Sequence, residues 1–358
     1  MLNDIVAPIN NILWGEGQVL IYLLLCAGFW FSFKLGFVQI RHFRYMFRVM
    51  KGSTQSDKSG ISSFQALCTG LSARVGTGNL AGVAMAISLG GSGAVFWMWL
   101  IALLGMATGF AESVLGQLYK VRDDHGEFRG GPAYYIRAGL GKPWLAVLFS
   151  LCLFLGYGIS FSAMQANTIS DALNNTFAIP SEYSGAVIAI LAGSIVIGGL
   201  RSIARFAELI VPFMGLAFIS VAIIVTLMNI QLLPAMFMDI FSSAFGLTEA
   251  GAGALGAAMK NGIQRGLYSN EAGAGSVPHA AAAATPVPNH PVAQGYVQML
   301  GVFLDTMVLC TCTAMVILLS DITISGEMEG IRMTQDAMGS HFGAGGNYFV
   351  AAAITLFA

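Results

Sequence analysis

Two short stretches carry the residue types from which chemistry could be built. Arg74 to Gly82, RVGTGNLAG, sets three glycines, a threonine and an asparagine inside an otherwise apolar window. Far downstream, Ser269 to Ser276, SNEAGAGS, repeats the mixture of glycine and side-chain oxygen. Glycine lets a backbone leave the helix and lets a ligand come close to it. In hydrocarbon, the peptide groups freed in this way must find partners other than lipid. A monovalent cation is one such partner. The carbonyls of Val75 and Gly76 with the side-chain oxygens of Asn79 and Ser269 form an oxygen set suited to Na+, and the half-helix beyond a break turns its N–H groups toward a carboxylate. Thr77, Gly78 and Asn79 are then placed to touch a small carboxylate-bearing solute, with Asn270 a further oxygen donor and Gly273 permissive backbone in the second stretch. The same glycines, Gly76, Gly78 and Gly82, also fit a stripe for close helix packing. A phosphate loop does not fit, because no strand precedes the glycines and no Gly-Lys-Ser/Thr follows them.

Other polar groups fall at membrane depth. Arg74, Glu112, Glu208, Lys260, Arg265, Glu271 and Asp305 each resist transfer to lipid and should face a cavity or a partner. Asp305, followed by Thr306 and Thr313 in DTMVLCTCTA, is the candidate for ion coupling. Gln165 and Asn167, in GYGISFSAMQANTISDAL, could line a pocket for an amino or carboxylate group, or bond between helices. His279, beside Pro278, reads as a cap or gate residue. Ser276 and His279, three apart, lack a third partner for nucleophilic catalysis, so no enzyme is expected. A channel would repeat filter segments around a symmetry axis, whereas these two breaks are unlike each other.

The elements that hold these residues are membrane helices. The chain of 358 residues is 56% hydrophobic and only 10% charged, with a mean hydropathy of +0.72. Its apolar residues come in windows such as Gln18 to Ile40, longer than the ~20 residues that span ~30 Å of hydrocarbon. This window is too long for a cleavable signal and reads as a retained anchor. Spans centre near Cys26, Val75, Ile101, Cys152, Leu191, Ala217, the interrupted Lys260 to Ser276, Val308, and the final NYFVAAAITLFA.

Alternate connections hold Arg41, Arg44, Arg48, Lys51 and Lys58, then Lys120, Arg122, Arg129, Arg137 and Lys142, then Arg201 and Arg205. The others hold only Arg332. Twelve basic residues against one predicts an amino terminus facing outward. The five cysteines lack zinc spacing and read as small apolar fillers. A net charge of −1 gives no reason to expect nucleic acid. Two glycine-interrupted spans at corresponding positions of two halves, crossing in opposite directions, point to a transporter built from inverted repeats.

GTGNLAGVA (Gly76 to Ala84), GGPAYYI (Gly130 to Ile136) and RGLYSNEAGAGSVPHAAAAA through HPVAQG resemble the signatures of the alanine or glycine:cation symporters, also called sodium:alanine symporters. The resemblance implies an all-α, polytopic, five-plus-five inverted-repeat fold like that of the bacterial leucine transporter. One extra helix and a basic loop would occupy 1–60, the first repeat 61–230, and an incomplete second repeat 231–358. It also implies inner-membrane residence and Na+-driven uptake of alanine or glycine, with H+ as the coupling ion in some members. Oligomeric state is left open. By the family pattern the VGTGN backbone with Asn79 belongs to the substrate and ion pocket, Ser269, Asn270 and Gly273 face it, and Gln165 reaches the bound amino acid. Family members continue past ITLFA with a Ser/Thr pair, a Gly-Trp-Tyr run and two further helices. A chain ending at Ala358 is therefore expected to transport weakly or not at all.

Overall fold

The computed structural model describes residues 2–15, 17–55, 60–124, 126–247, 251–324 and 330–358. Lys58, counted above among the basic residues, lies outside the described residues, as does 325–329 of the connection holding Arg332. The chain is helical apart from one small hairpin. In order it forms α1 (Leu2–Leu13), α2 (Val19–Lys34), two short helices (Val38–Arg41 and Phe43–Val49), α3 (Ser63–Arg74), α4 (Gly78–Gly90) and α5 (Ala94–Leu118). The hairpin β1 (Val121–Arg122) and β2 (Phe128–Arg129) follows, then α6 (Pro132–Gly139), α7 (Pro143–Phe177), α8 (Ser181–Val196) and α9 (Gly199–Met228). The chain continues through α10 (Ile230–Ala244), α11 (Gly251–Asn270), α12 (Val277–Ala283), α13 (Pro291–Leu318), α14 (Ile331–Phe342) and α15 (Ala344–Phe357).

Among the described residues, α5, α7, α9 and α13 are long and apolar enough to cross a membrane. Every span centre read from hydropathy falls on a helix or on one of the two breaks. Span one is shorter than its apolar window, because Gly36 (φ 60°) and Phe37 (φ 54°) turn the chain after Lys34. The connections are less irregular than their composition suggests. NIQLLPAMFMD lies within α10 apart from its first residue, Asn229, which precedes the helix, and the stretch around Arg332 begins α14.

The core forms around α5 and α13. Two thirds of the apolar window of each is buried inside the protein, against 6% for α7. The reason lies in small residues. In α5 the sequence GMATGFA keeps the helix thin, and α11, α12 and α13 all pack against it. Three helices contain wide π-helical turns, at Gly78–Gly82, Phe154–Phe161 and Phe303–Cys310. Such turns leave carbonyls out of the regular ladder and are frequent at functional sites.

Candidate functional site

The first break is three residues long. A Ser62/Gln65 capping box opens α3, which ends at Arg74. Val75 is extended (φ −74°, ψ 128°), Gly76 takes φ 155°, and helix resumes at Gly78. Gly78 and Asn79 therefore sit in the first, widened turn of α4 and not in unwound chain. The second break begins two residues later than the motif suggests. Ser269 and Asn270 close α11, and unwinding starts at Glu271 (φ 52°) and proceeds through Gly273 (φ 93°) and Gly275 (φ 83°). The Asn270 Oδ1 accepts the Ala272 N–H at 2.9 Å, which ends the helix locally.

The two elements meet. A Cβ on Gly78 would stand 3.1 Å from the Ser269 Cα, so the absence of a side chain at Gly78 permits the approach. Asp305 of α13 joins them, wholly buried. Its Oδ1 accepts from Asn79 Nδ2 at 2.8 Å, and its Oδ2 accepts from Ser269 Oγ at 2.8 Å and from Thr306 Oγ1 at 2.7 Å. The Asp305 carbonyl, within the π-helical turn, accepts the same Asn79 amide at 3.1 Å. The Asn79 Oδ1 accepts the Gly76 N–H at 3.2 Å. Its oxygen thus braces the first break while its amide faces the acid.

Gln165 of α7 closes the other side of that break. Its Oε1 accepts the Thr77 N–H at 3.1 Å and also the Thr77 hydroxyl. A Cβ on Gly76 would lie 2.9 Å from Gln165 Nε2, so glycine at 76 serves both the left-handed backbone and the contact. Asn270 does not join the Asp305 group and lies instead against Gly105 of α5. The Gly273 N–H donates to Glu112 at 3.1 Å, and Gly273 lines a cavity of about 460 Å³ with Tyr157, Phe161, Tyr268 and Glu271. Asn167 is exposed, and Thr313 bonds its own helix at Leu309 O.

Arg74, 2% exposed, donates weakly to the Gln298 carbonyl at 3.5 Å, while its Nε and Nη2 have no hydrogen-bond partner among the described residues. Asp305, Glu271 and Glu112 surround it electrostatically without touching it. Arg74 is thus a buried cation set among three buried carboxyl groups, the arrangement in which ionisable side chains are held at membrane depth.

Two participants were not legible in the sequence. Cys310, read as an apolar filler, has its sulfur 3.3 Å from Asn79 Nδ2 and 3.2 Å from Ser269 Oγ. Thr334 of α14 donates to the Leu80 carbonyl at 2.9 Å, a carbonyl of the π-helical turn. Nothing local marks either residue, since their partners lie on other helices. His279 sits against Gly131, where a Cβ would stand 2.7 Å from its ring at φ 119°. This contact explains why the GGP motif needs its second glycine.

The protein has relatives of known type. A family model described as the sodium:alanine symporter family matches residues 1–358. The chain is 49% identical to an uncharacterized transporter, YaaJ, of Escherichia coli, over 99% of this chain and 75% of the relative. It is 46% identical to the probable sodium/glutamine symporter GlnT of Bacillus subtilis, over 100% of this chain and 74% of that one. Against the sodium/alanine symporter AgcS of Methanococcus maripaludis, identity is 41% over 88% of this chain and 70% of the relative. The chain is thus a multi-pass membrane transporter, not an enzyme, and belongs to the sodium:alanine symporter family.

Proposed function

We propose that this protein carries a small neutral amino acid, alanine or glycine, together with Na+, by alternating access in a five-plus-five inverted-repeat fold. One observation carries the reading: Asn79 beside the first break and Ser269 beside the second both donate to the buried carboxylate of Asp305. An acid with three hydroxyl and amide neighbours, next to loosened backbone, has the oxygen chemistry of a hard monovalent cation. In this reading Asp305, Thr306, Ser269 and the carbonyls of Val75 and Gly76 hold Na+, or a proton takes its place on Asp305, while Asn79, its oxygen held by the Gly76 N–H, braces the site. Thr77, Gly78, Gln165, Asn270 and Gly273 receive the amino acid. The close approach of Gly78 to Ser269 favours a solute with a small side chain. Residence in the inner membrane with the amino terminus outside is supported by the uneven distribution of Lys and Arg.

Binding of the cation and of the amino acid then stabilise the same conformation, so each raises the affinity of the other. The test is uptake of labelled alanine and glycine into vesicles holding the purified protein, as this chain and as the chain extended by a homologous C-terminal segment, under imposed Na+ or pH gradients. Saturable uptake that follows the Na+ gradient is expected of the extended chain. Non-saturating flux, or flux indifferent to both gradients, would refute the proposal.

A further inference from the structure

The segment joining α2 to α3 carries a charge pattern that the candidate site does not use. Between Glu16 and Asp57 the sequence holds no acid, and Lys34, Arg41, Arg44, Arg48 and Lys51 all fall in that interval. The segment folds as the short helices Val38–Arg41 and Phe43–Val49, which meet at His42 (φ −112°, ψ 20°). Arg41, Arg44, Arg48 and Lys51 follow one another at intervals of three, four and three residues, the spacing of neighbours on one side of a helix. All four are exposed, and none has an acidic partner among the described residues.

A second side of the segment is fixed to the protein. Met46 and Val49 are buried, the His42 Nδ1 is hydrogen-bonded to the Tyr296 hydroxyl of α13, and the Tyr45 ring lies 4.9 Å from that of Tyr296. Gln39 Nε2 donates to Ser32 Oγ of α2 at 2.9 Å, and the Phe64 N–H of α3 donates to Ser53 O at 2.9 Å. The segment packs on α5 and α13, whereas α15, at the end of the chain, packs on α7, α9 and α14. A third side is apolar: Ile40, Phe43 and Phe47 are 66%, 36% and 45% exposed. The rings of Phe43 and Phe47 lean on Phe303 at 5.1 and 6.2 Å, and Phe303 opens the π-helical turn that carries Asp305. A helix with one apolar side open and a row of cations beside it belongs in the plane of the membrane–water boundary. Its place directly after α2 puts it there.

We propose that this segment is a binding surface for anionic phospholipid, with headgroup phosphates on Arg41, Arg44 and Arg48 and acyl chains against Ile40, Phe43 and Phe47. Guanidinium groups match phosphate oxygens in pairs. A row of such groups on an amphipathic helix beside a membrane span is the pattern that anionic headgroups recognise. A soluble acidic partner would meet the cations but leave Ile40 and Phe47 in water, whereas a lipid covers both. Lipid held here braces, through Phe43 and Phe47, the start of the turn beside Asp305. The surface is separate from the amino-acid pocket, and its test does not need transport.

The purified chain in a non-ionic detergent is titrated with phosphatidylglycerol, with phosphatidylcholine of the same acyl chains, and with inorganic phosphate, and its melting temperature is followed. Phosphatidylglycerol should raise the melting temperature saturably, phosphatidylcholine much less, and inorganic phosphate not at all. Each charge near an anionic surface is worth about fivefold in affinity, so Arg41→Gln with Arg44→Gln and Arg48→Gln should weaken phosphatidylglycerol binding about a hundredfold. Without lipid this variant should melt where the parent does, since the three cations have no acidic partner to lose. Arg44→Gln alone, expected to weaken binding about fivefold, carries the test if the triple variant does not fold. Arg137→Gln with Lys142→Gln removes two exposed cations from another connection and should leave the titration unchanged. Equal stabilisation by phosphatidylcholine would assign the surface to its apolar side alone, and stabilisation by inorganic phosphate would assign it to a free anion. No shift with phosphatidylglycerol would leave the row to a soluble acidic partner. Any of these results, an undiminished shift in the arginine variants, or an equal loss in the control variant would overturn the proposal.

Discussion

Replacing Asp305 by asparagine separates a charge from the shape that carries it. The carboxylate accepts three side-chain bonds, one on Oδ1 from Asn79 and two on Oδ2 from Ser269 and Thr306. An asparagine keeps its oxygen toward Asn79 and turns its amide to the two hydroxyls, which rotate and accept in place of donating. Every buried group stays satisfied. What is lost is charge assistance in these bonds, and what is gained is relief from burying a carboxylate, so the fold should change by no more than ~1 kcal/mol. For a protein of this size that is a melting shift below about 4 °C.

The cation is affected far more. A carboxylate oxygen about 2.4 Å from a hard cation, in a medium of effective dielectric about 20, attracts it by roughly 7 kcal/mol. Stripping water from both charges and giving up the three donors cancels most of this attraction. A net ~2.7 kcal/mol remains, about a hundredfold in affinity. The Na+ concentration for half-maximal alanine uptake should therefore rise about a hundredfold in Asp305→Asn while the detergent-solubilised protein melts almost where the parent does. Asp305→Ala is the contrast, since it leaves three donors without acceptors at about 1–3 kcal/mol each and should lower folded yield. If Asp305→Asn keeps the parent's Na+ dependence, the carboxylate is structural and the assignment of the cation to it is wrong.

Three further outcomes follow from the same geometry. Asn79→Ala removes both the brace on the Gly76 N–H and a donor to Asp305, so the Na+ requirement should rise more than expression falls; an unaltered Na+ curve in the uptake assay would contradict this. Gly131→Ala drives a methyl into the His279 ring at a backbone angle that side chains avoid, costing ~1–3 kcal/mol. Thermal melting should show part of this loss recovered in Gly131→Ala with His279→Ala, and strict additivity would mean that the ring is not the obstacle. Arg332→Gln removes a solvent-facing grip on Asp171, whose hydrogen bonds hold the guanidinium above its ordinary pKa. Because the pair is exposed, the expected loss is only ~0.2–1 kcal/mol, read as faster thiol labelling of a cysteine at Leu80. No change in labelling would mean that α14 is held by Thr334, on Leu80 O, and Gln335, on Ala172 O, alone.

The amino-acid sequence by itself determined those features that depend on neighbours along the chain. Hydropathy located the spans, because crossing hydrocarbon is a property of one contiguous window. Glycine content located both breaks, because a left-handed backbone is a cost paid residue by residue. Asp305 stood out because an acid at that depth needs partners whatever they are. Tertiary structure alone decided which partners these are. Asn79 and Asp305 lie 226 residues apart, and their contact falls in a π-helical turn of α13 that no local pattern announces. The orientation of Asn79, with its oxygen to the backbone and its amide to the acid, reverses the simplest reading of asparagine as an oxygen donor, because Gly76 presents an N–H within reach. The place of Cys310 in the cluster, the bond of Thr334 to Leu80 and that between Ile61 and Ala283 belong to the same class. Periodicity tells which face of a helix turns inward; which residue of a distant helix it meets there is set by how the helices pack together.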